Sequence, residues 1–132
     1  MVDANMPLGR LAFDVASAMS EAVDSLCVLL AWNDAGAIGD PPIDGAKLKD
    51  AMGALGEAFR EVLHGGRLPP LDPPIVEEDL ARVVRLEEAI PAWPSTGALP
   101  PELIALGEAC VAATWRASWR EILAEARQAS VV

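Results

Sequence analysis

The residues with the clearest potential for chemistry are Glu61 and His64, a carboxylate and the chain's only imidazole. In a helix, residues three apart lie on adjacent turns of the same side. A carboxylate and an imidazole placed in this way can bind one metal ion. This pair supplies two ligands, whereas a closed first-row metal site needs about four. A second copy of the chain or further acids would have to supply the rest.

The Glu-x-x-His spacing is similar to that of ferritin-like four-helix proteins, which use two such pairs and additional glutamates that face the bundle centre. The chain departs from that pattern because it has one pair, Glu61 falls on the solvent side of its predicted helix, and His64 adjoins Gly65 and Gly66. The simpler interpretation is a histidine near a helix C-terminus, where the helix dipole favours positive charge. A ferritin-like metal-dependent enzyme stays an alternative, and we expect no metal or other cofactor.

The remaining reactive side chains indicate no further catalytic site. Cys27 and Cys110 both fall in apolar helical runs without a Cys-x-x-Cys motif, so we expect both thiols to be reduced and buried. The acids Glu77, Glu78 and Asp79 fit a helix start, where the dipole favours negative charge. The chain has no nucleophile elbow, phosphate-binding glycine loop or zinc ligand set. Catalysis is therefore not the function that the sequence favours.

Tryptophan and arginine side chains on the last predicted helix point to binding instead. This segment has two apolar faces, one of which consists of small and medium-sized residues that we expect to pack inward: Leu103, Leu106, Cys110, Ala113, Ala117 and Ala124. The other face and its basic edge are the predicted partner-binding residues: Val111, Trp115, Trp119, Ile122, Arg116 and Arg120. Tryptophan and arginine are enriched in the residues that dominate binding energy. In the competing interpretation, the two tryptophans belong to the core.

Proline clusters divide the chain into the elements that would position these residues, since proline cannot occupy a helix interior without breaking it. The sequence predicts one all-α domain over residues 1–132, a compact four-helix bundle-like fold with proline-rich connectors. The predicted helices cover about 8–33, 45–64, 75–90 and 101–128. Gly53 and Gly56 suggest a close crossing of the second helix with a neighbour, and Val76 is expected to face inward with the rest of the third helix's apolar stripe.

Charge limits the classes of partner. Twenty acids against ten bases give a net charge of −10, which disfavours direct nucleic-acid binding. Asp14, Glu21 and Asp24 argue against a membrane span through the long apolar first helix, because each carboxylate is costly at membrane depth. The first residues show no secretory signal, and we predict a cytoplasmic protein. We expect the first and last helices to pack together, with acids of the first near Arg116 and Arg120.

Together these features predict a non-catalytic helical protein-protein interaction module. Its role would be that of an accessory or regulatory subunit, or of a small homo-oligomeric adaptor whose partner is another protein or a second copy in a homodimer. The alternative from a different class is a helical pocket protein that binds a hydrophobic small molecule beneath the tryptophans.

Overall fold

A computed structural model describes residues 7–68, 74–90, 99, 101–116 and 124. These ranges contain four helices and no strand, which confirms the all-α, bundle-like prediction. The predicted helix starts agree within two residues, and the predicted continuation of the last helix to residue 128 lies outside the continuous described range. The helices are α1 (Leu8–Asp34), α2 (Gly45–Arg60), α3 (Glu77–Ala89) and α4 (Pro101–Arg116), with a π-helical turn at Glu61–Gly65 after α2.

The four helices form a ring around one apolar core. Each packs mainly against its neighbour in the chain, and α1 also packs against α4, as the sequence predicted. The predicted proximity of acids of the first helix to Arg116 and Arg120 involves the side chain of Arg116 and the whole of Arg120, which lie outside the described residues. The core draws on every helix, and its fully buried side chains include Leu11, Met19, Leu26, Leu29, Leu48, Met52, Leu55, Phe59, Val83 and Leu86.

α1 and α4 approach each other closely at Gly107. A Cβ atom on this glycine would lie 3.7 Å from a methyl group of Leu26 and 3.7 Å from one of Leu30. At the end of the same contact, the side-chain oxygen of Asn33 accepts a hydrogen bond from the backbone N–H of Leu99, at 3.0 Å. α1 and the segment that leads into α4 are therefore joined by both packing and a directed polar contact.

α2 crosses α3 on its glycine side, as Gly53 and Gly56 suggested. A Cβ atom on Gly56 would lie 3.7 Å from Cγ1 of Val83, and one on Gly53 would lie 3.4 Å from a carboxylate oxygen of Glu87. Both distances are those of ordinary van der Waals contact, so the crossing is close without excluding a methyl group.

Side-chain caps explain where two of the helices begin. The carboxylate of Asp44 accepts the backbone N–H of Lys47 at 2.8 Å, as an N-cap does. At the start of α3, Asp79 folds back and accepts the N–H of Val76 at 3.0 Å. The prediction that Val76 faces inward is wrong: this side chain is exposed, because the residue sits in extended backbone just before the helix.

The end of α1 is a turn with left-handed backbone. Gly36, Ala37 and Gly39 have φ angles of 104°, 54° and 80°. The indole N–H of Trp32 donates a hydrogen bond to the carbonyl of Ile38 at 3.1 Å, which connects the turn to the helix. The turn leaves the Ile38 side chain 83% exposed.

Candidate interaction surface

One side of α1 is open to solvent along most of the helix. We call it the outward face of α1, and its residues are all exposed: Phe13, Asp14, Ser17, Glu21, Asp24, Cys27 and Val28. Phe13 is 58% exposed and Val28 is 49% exposed. These two side chains keep apolar surface in contact with water, and covering that surface would be favourable.

The predicted partner surface did not include this face, although the sequence contains a signal for it. Successive residues of an α-helix are rotated by about 100°, so Val28 lies within about 20° of both Ser17 and Glu21. This position is the middle of the polar stripe rather than its edge. An aliphatic side chain there has no neighbouring helix of the same chain to cover it.

The electrostatics of the outward face of α1 are acidic. Asp14, Glu21 and Asp24 are exposed, and none of the three forms an ion pair with another described residue. The stretch from Leu11 to Ala46 contains no lysine or arginine. The nearest base along α1 is the exposed Arg10, which precedes Phe13 by three residues. The face therefore combines apolar side chains with carboxylates that form no ion pair with any base among the described residues.

The predicted partner surface on α4 is placed only in part. Val111 is half-buried and packs against the core together with Ile104, so it does not point freely outward as predicted. Trp115 and Arg116 belong to the last turn of α4, but their side chains lie outside what the structure describes. Trp119, Arg120 and Ile122 also lie outside the described residues.

The inward face of α4 agrees with the prediction along its described length. Leu103, Leu106, Cys110 and Ala113 are all buried. Ala124 is exposed, so the prediction that it packs inward is wrong. Ala117, also predicted to pack inward, lies outside the described residues, so the buried residues of the inward face run from Leu103 to Ala113.

The two cysteines differ. Cys110 is buried, and desolvation raises the pKa of its thiol to about 12, while the nearby charge of Arg82 lowers it and that of Asp79 raises it by smaller amounts. The prediction that Cys27 is also buried is wrong, because Cys27 is exposed. It follows the buried Leu26 on α1 and lies at the edge of the outward face.

Glu61 and His64, the pair considered as an alternative metal site, have different surroundings in the structure. Glu61 is half-buried in the π-helical turn, and the exposed His64 pairs through Nε2 with the carboxylate of Glu77 at the start of α3. This contact links the end of α2 to α3. Within the described ranges, no group of three or more histidine, cysteine or acidic side chains is arranged to hold a metal ion.

An open depression between α2 and α3 has a volume of about 370 Å³. Its lining carries both signs of charge and includes Lys49, Asp50, Glu57, Arg60 and Glu87. Pockets for hydrophobic small molecules are mostly apolar and enclosed. This depression therefore does not correspond to the hydrophobic pocket that sequence analysis considered.

α1 also has the length and apolar composition of a membrane span, with a mean hydropathy of 1.4 over its most apolar window. Core helices of bundles meet the same criterion, and 39% of that window is buried inside the structure. No protein-family model, curated protein or solved structure matches the chain. Functional inference therefore depends on the surface itself.

Proposed function

We propose that this protein is a non-catalytic helical interaction module, an accessory or regulatory subunit or a small homo-oligomeric adaptor. The observation that carries the proposal is the outward face of α1, where Phe13 and Val28 are about half exposed. These side chains are already about half buried, so complete burial against a partner would contribute about 0.8–1.5 kcal/mol each. The surface is therefore well suited to association.

The geometry of α4 supports the same function. Its small and medium-sized residues pack inward, so the side that carries Ile104 and Val111 lies at the margin of the core. Trp115 follows Val111 by one helical turn and continues this line along α4. We retain Val111, Trp115, Trp119, Ile122, Arg116 and Arg120 as proposed partner-binding residues, because tryptophan and arginine are enriched in binding hot spots.

The first experiment measures assembly. The molar mass of the wild-type chain is determined by light scattering over a range of concentrations, beside the single variants Trp115→Ala and Trp119→Ala. A mass that rises with concentration, and falls in a variant whose helical circular dichroism and melting temperature are unchanged, supports a homo-oligomeric adaptor. Variants that unfold with no change in mass would assign the tryptophans to the core.

A second experiment tests the role of subunit or adaptor for another protein. A photo-crosslinking amino acid replaces Phe13 or Val28 in the chain as it is expressed in its own cells, and Val76, an exposed valine on another element, provides the matched control position. A discrete crosslinked product at positions 13 and 28 but not at 76 supports the proposal. A wild-type chain that is monomeric at all concentrations and gives no crosslink at either position would contradict it.

A further inference from the structure

We propose that the outward face of α1 binds a basic, amphipathic helix of another protein. This inference rests on the proposed interaction function and names the chemistry of the partner. The face is regular and helical, so it offers side chains at fixed intervals rather than backbone donors and acceptors. A second helix laid along it is the partner that can contact such a row of side chains continuously.

The spacing of the apolar residues sets the length of the partner. Phe13 and Val28 are fifteen residues apart, which corresponds to about 22 Å along an α-helix. A partner helix of about four turns spans that distance. Its bulky apolar side chains would contact Phe13 at one end and Val28 at the other, and these two contacts would supply most of the affinity.

The acidic residues between those two contacts determine the sign of the charge that the partner must carry. Asp14, Glu21 and Asp24 lie between or beside the apolar residues, are exposed, and form no ion pair with another described residue. Lysine or arginine side chains at matching intervals would neutralise them, and arginine could contact a carboxylate through two parallel hydrogen bonds. Exposed pairs of this kind add little affinity individually, so the charges would mainly select the partner and accelerate association.

The same charges disfavour other occupants. A second copy of the outward face of α1, in either orientation, would bring Glu21 near the middle of an equally acidic face. Like charges opposed across an interface are destabilising. Nucleic acid and anionic lipid would be repelled for the same reason. A basic helix is the partner whose charge complements all three carboxylates.

The inference is tested with two synthetic helical peptides of equal length as probes. Both carry leucine and phenylalanine on one face; the polar face is lysine and arginine in one peptide and glutamate in the other. We expect the wild-type chain to bind the basic peptide at least about tenfold more tightly than the acidic one, and the difference to shrink as salt screens the charges. Phe13→Ala and Val28→Ala should weaken binding of the basic peptide at low and high salt alike.

A charge-matched pair of double variants separates a specific site from general acidity. Asp14→Lys/Asp24→Lys reverses two charges on the outward face of α1, and Asp50→Lys/Glu88→Lys reverses two exposed charges on α2 and α3. The first variant should lose at least about tenfold in affinity for the basic peptide, and the second less than about threefold. Circular dichroism and melting curves identify any variant that fails to fold, and the single variants Asp14→Asn and Asp24→Asn, which remove charge without reversing it, then take its place.

Several results would overturn the inference. Equal losses in the two double variants would show that only net charge matters. Stronger binding to the acidic peptide, self-association abolished by Phe13→Ala, or binding to anionic phosphatidylglycerol vesicles abolished by Val28→Ala would assign the face to another occupant. A crosslinked partner at positions 13 and 28, together with no affinity for the basic peptide, would preserve the interaction function while rejecting this partner class.

Discussion

Asp79 illustrates how one side chain fixes the start of a helix. It is only 1% exposed, accepts the N–H of Val76, and pairs with Arg82 at 3.4 Å. From the sequence, Asp79 was predicted to be one of the acids that the helix dipole stabilises at the start of α3. Its hydrogen bond with the backbone was not predicted. Reaching back over the turn buries the carboxylate and satisfies an N–H group that the helix itself cannot pair.

We predict that Asp79→Ala lowers the free energy of unfolding by about 1–2 kcal/mol, because it removes a helix cap in a buried position. Chemical denaturation measures the effect. Glu78→Ala is the control, since Glu78 contacts the same Arg82 from an exposed position and should cost less than about 1 kcal/mol. Equal effects of the two substitutions would show that the cap contributes nothing beyond the charge.

The two cysteines should differ in reactivity. A bulky thiol reagent should modify Cys27 rapidly in the native protein, because this thiol is exposed. Cys110 is buried, so it should react only when the protein unfolds locally or globally. The variants Cys27→Ser and Cys110→Ser assign the two rates. Rapid modification of Cys110 in the native protein would contradict its placement.

Cys110 also predicts a dependence of stability on pH. Burial raises the pKa of its thiol to about 12, whereas a thiol in an unfolded chain has a pKa of about 8.5. Its contribution to stability is therefore fully present below about pH 8.5 and is lost as the pH rises toward 12, because only the unfolded chain can then release the proton. Between about pH 8 and pH 10, the wild type should lose about 1–2 kcal/mol more than Cys110→Ala. Parallel pH profiles of the two proteins would disprove this.

One glycine of α2 can be replaced by alanine with a gain in stability. A methyl group on Gly56 would meet Val83 and Arg60 at 3.7 and 3.6 Å, which are contact distances without overlap. We predict that Gly56→Ala stabilises the protein by up to about 1 kcal/mol, because alanine favours the helix more than glycine does. Thermal denaturation tests it against Gly66→Ala, which should destabilise because Gly66 has a φ of 71°. A loss of stability in Gly56→Ala would mean that the crossing requires glycine.

The elements themselves could be predicted because their signals are local. Proline clusters, the Asp44 cap and apolar periodicity place α1 to α4 within two residues of their observed starts. The exposure of Cys27 and Val76 could not be predicted in the same way, since it depends on which neighbouring helices cover each face. α1 packs mainly on two helices, so part of its apolar circumference stays open. For the same reason, the sequence did not identify Phe13 and Val28 as surface residues.

At the scale of the whole molecule, the net charge of −10 should destabilise the compact state through self-repulsion. We predict that the melting temperature rises as sodium chloride increases from about 0.02 M to about 0.5 M, because the Debye length falls within this range. Potassium chloride at equal ionic strength should act alike. The rise should be smaller in Asp14→Lys/Asp24→Lys, which carries fewer uncompensated acids; a rise of the same size would indicate a salt effect unrelated to net charge.

The contact between α1 and α4 carries a consequence for folding order. The other main contacts join helices that follow one another in the chain, whereas the bond between Asn33 and Leu99 joins residues 66 positions apart. Forming it early would close the longest loop, which costs the most chain entropy. We therefore expect it to form after the rate-limiting step, so that Asn33→Ala speeds unfolding and leaves the refolding rate nearly unchanged. The unfolding rate, and with it the lifetime of the native bundle, would then depend on the contact between α1 and α4.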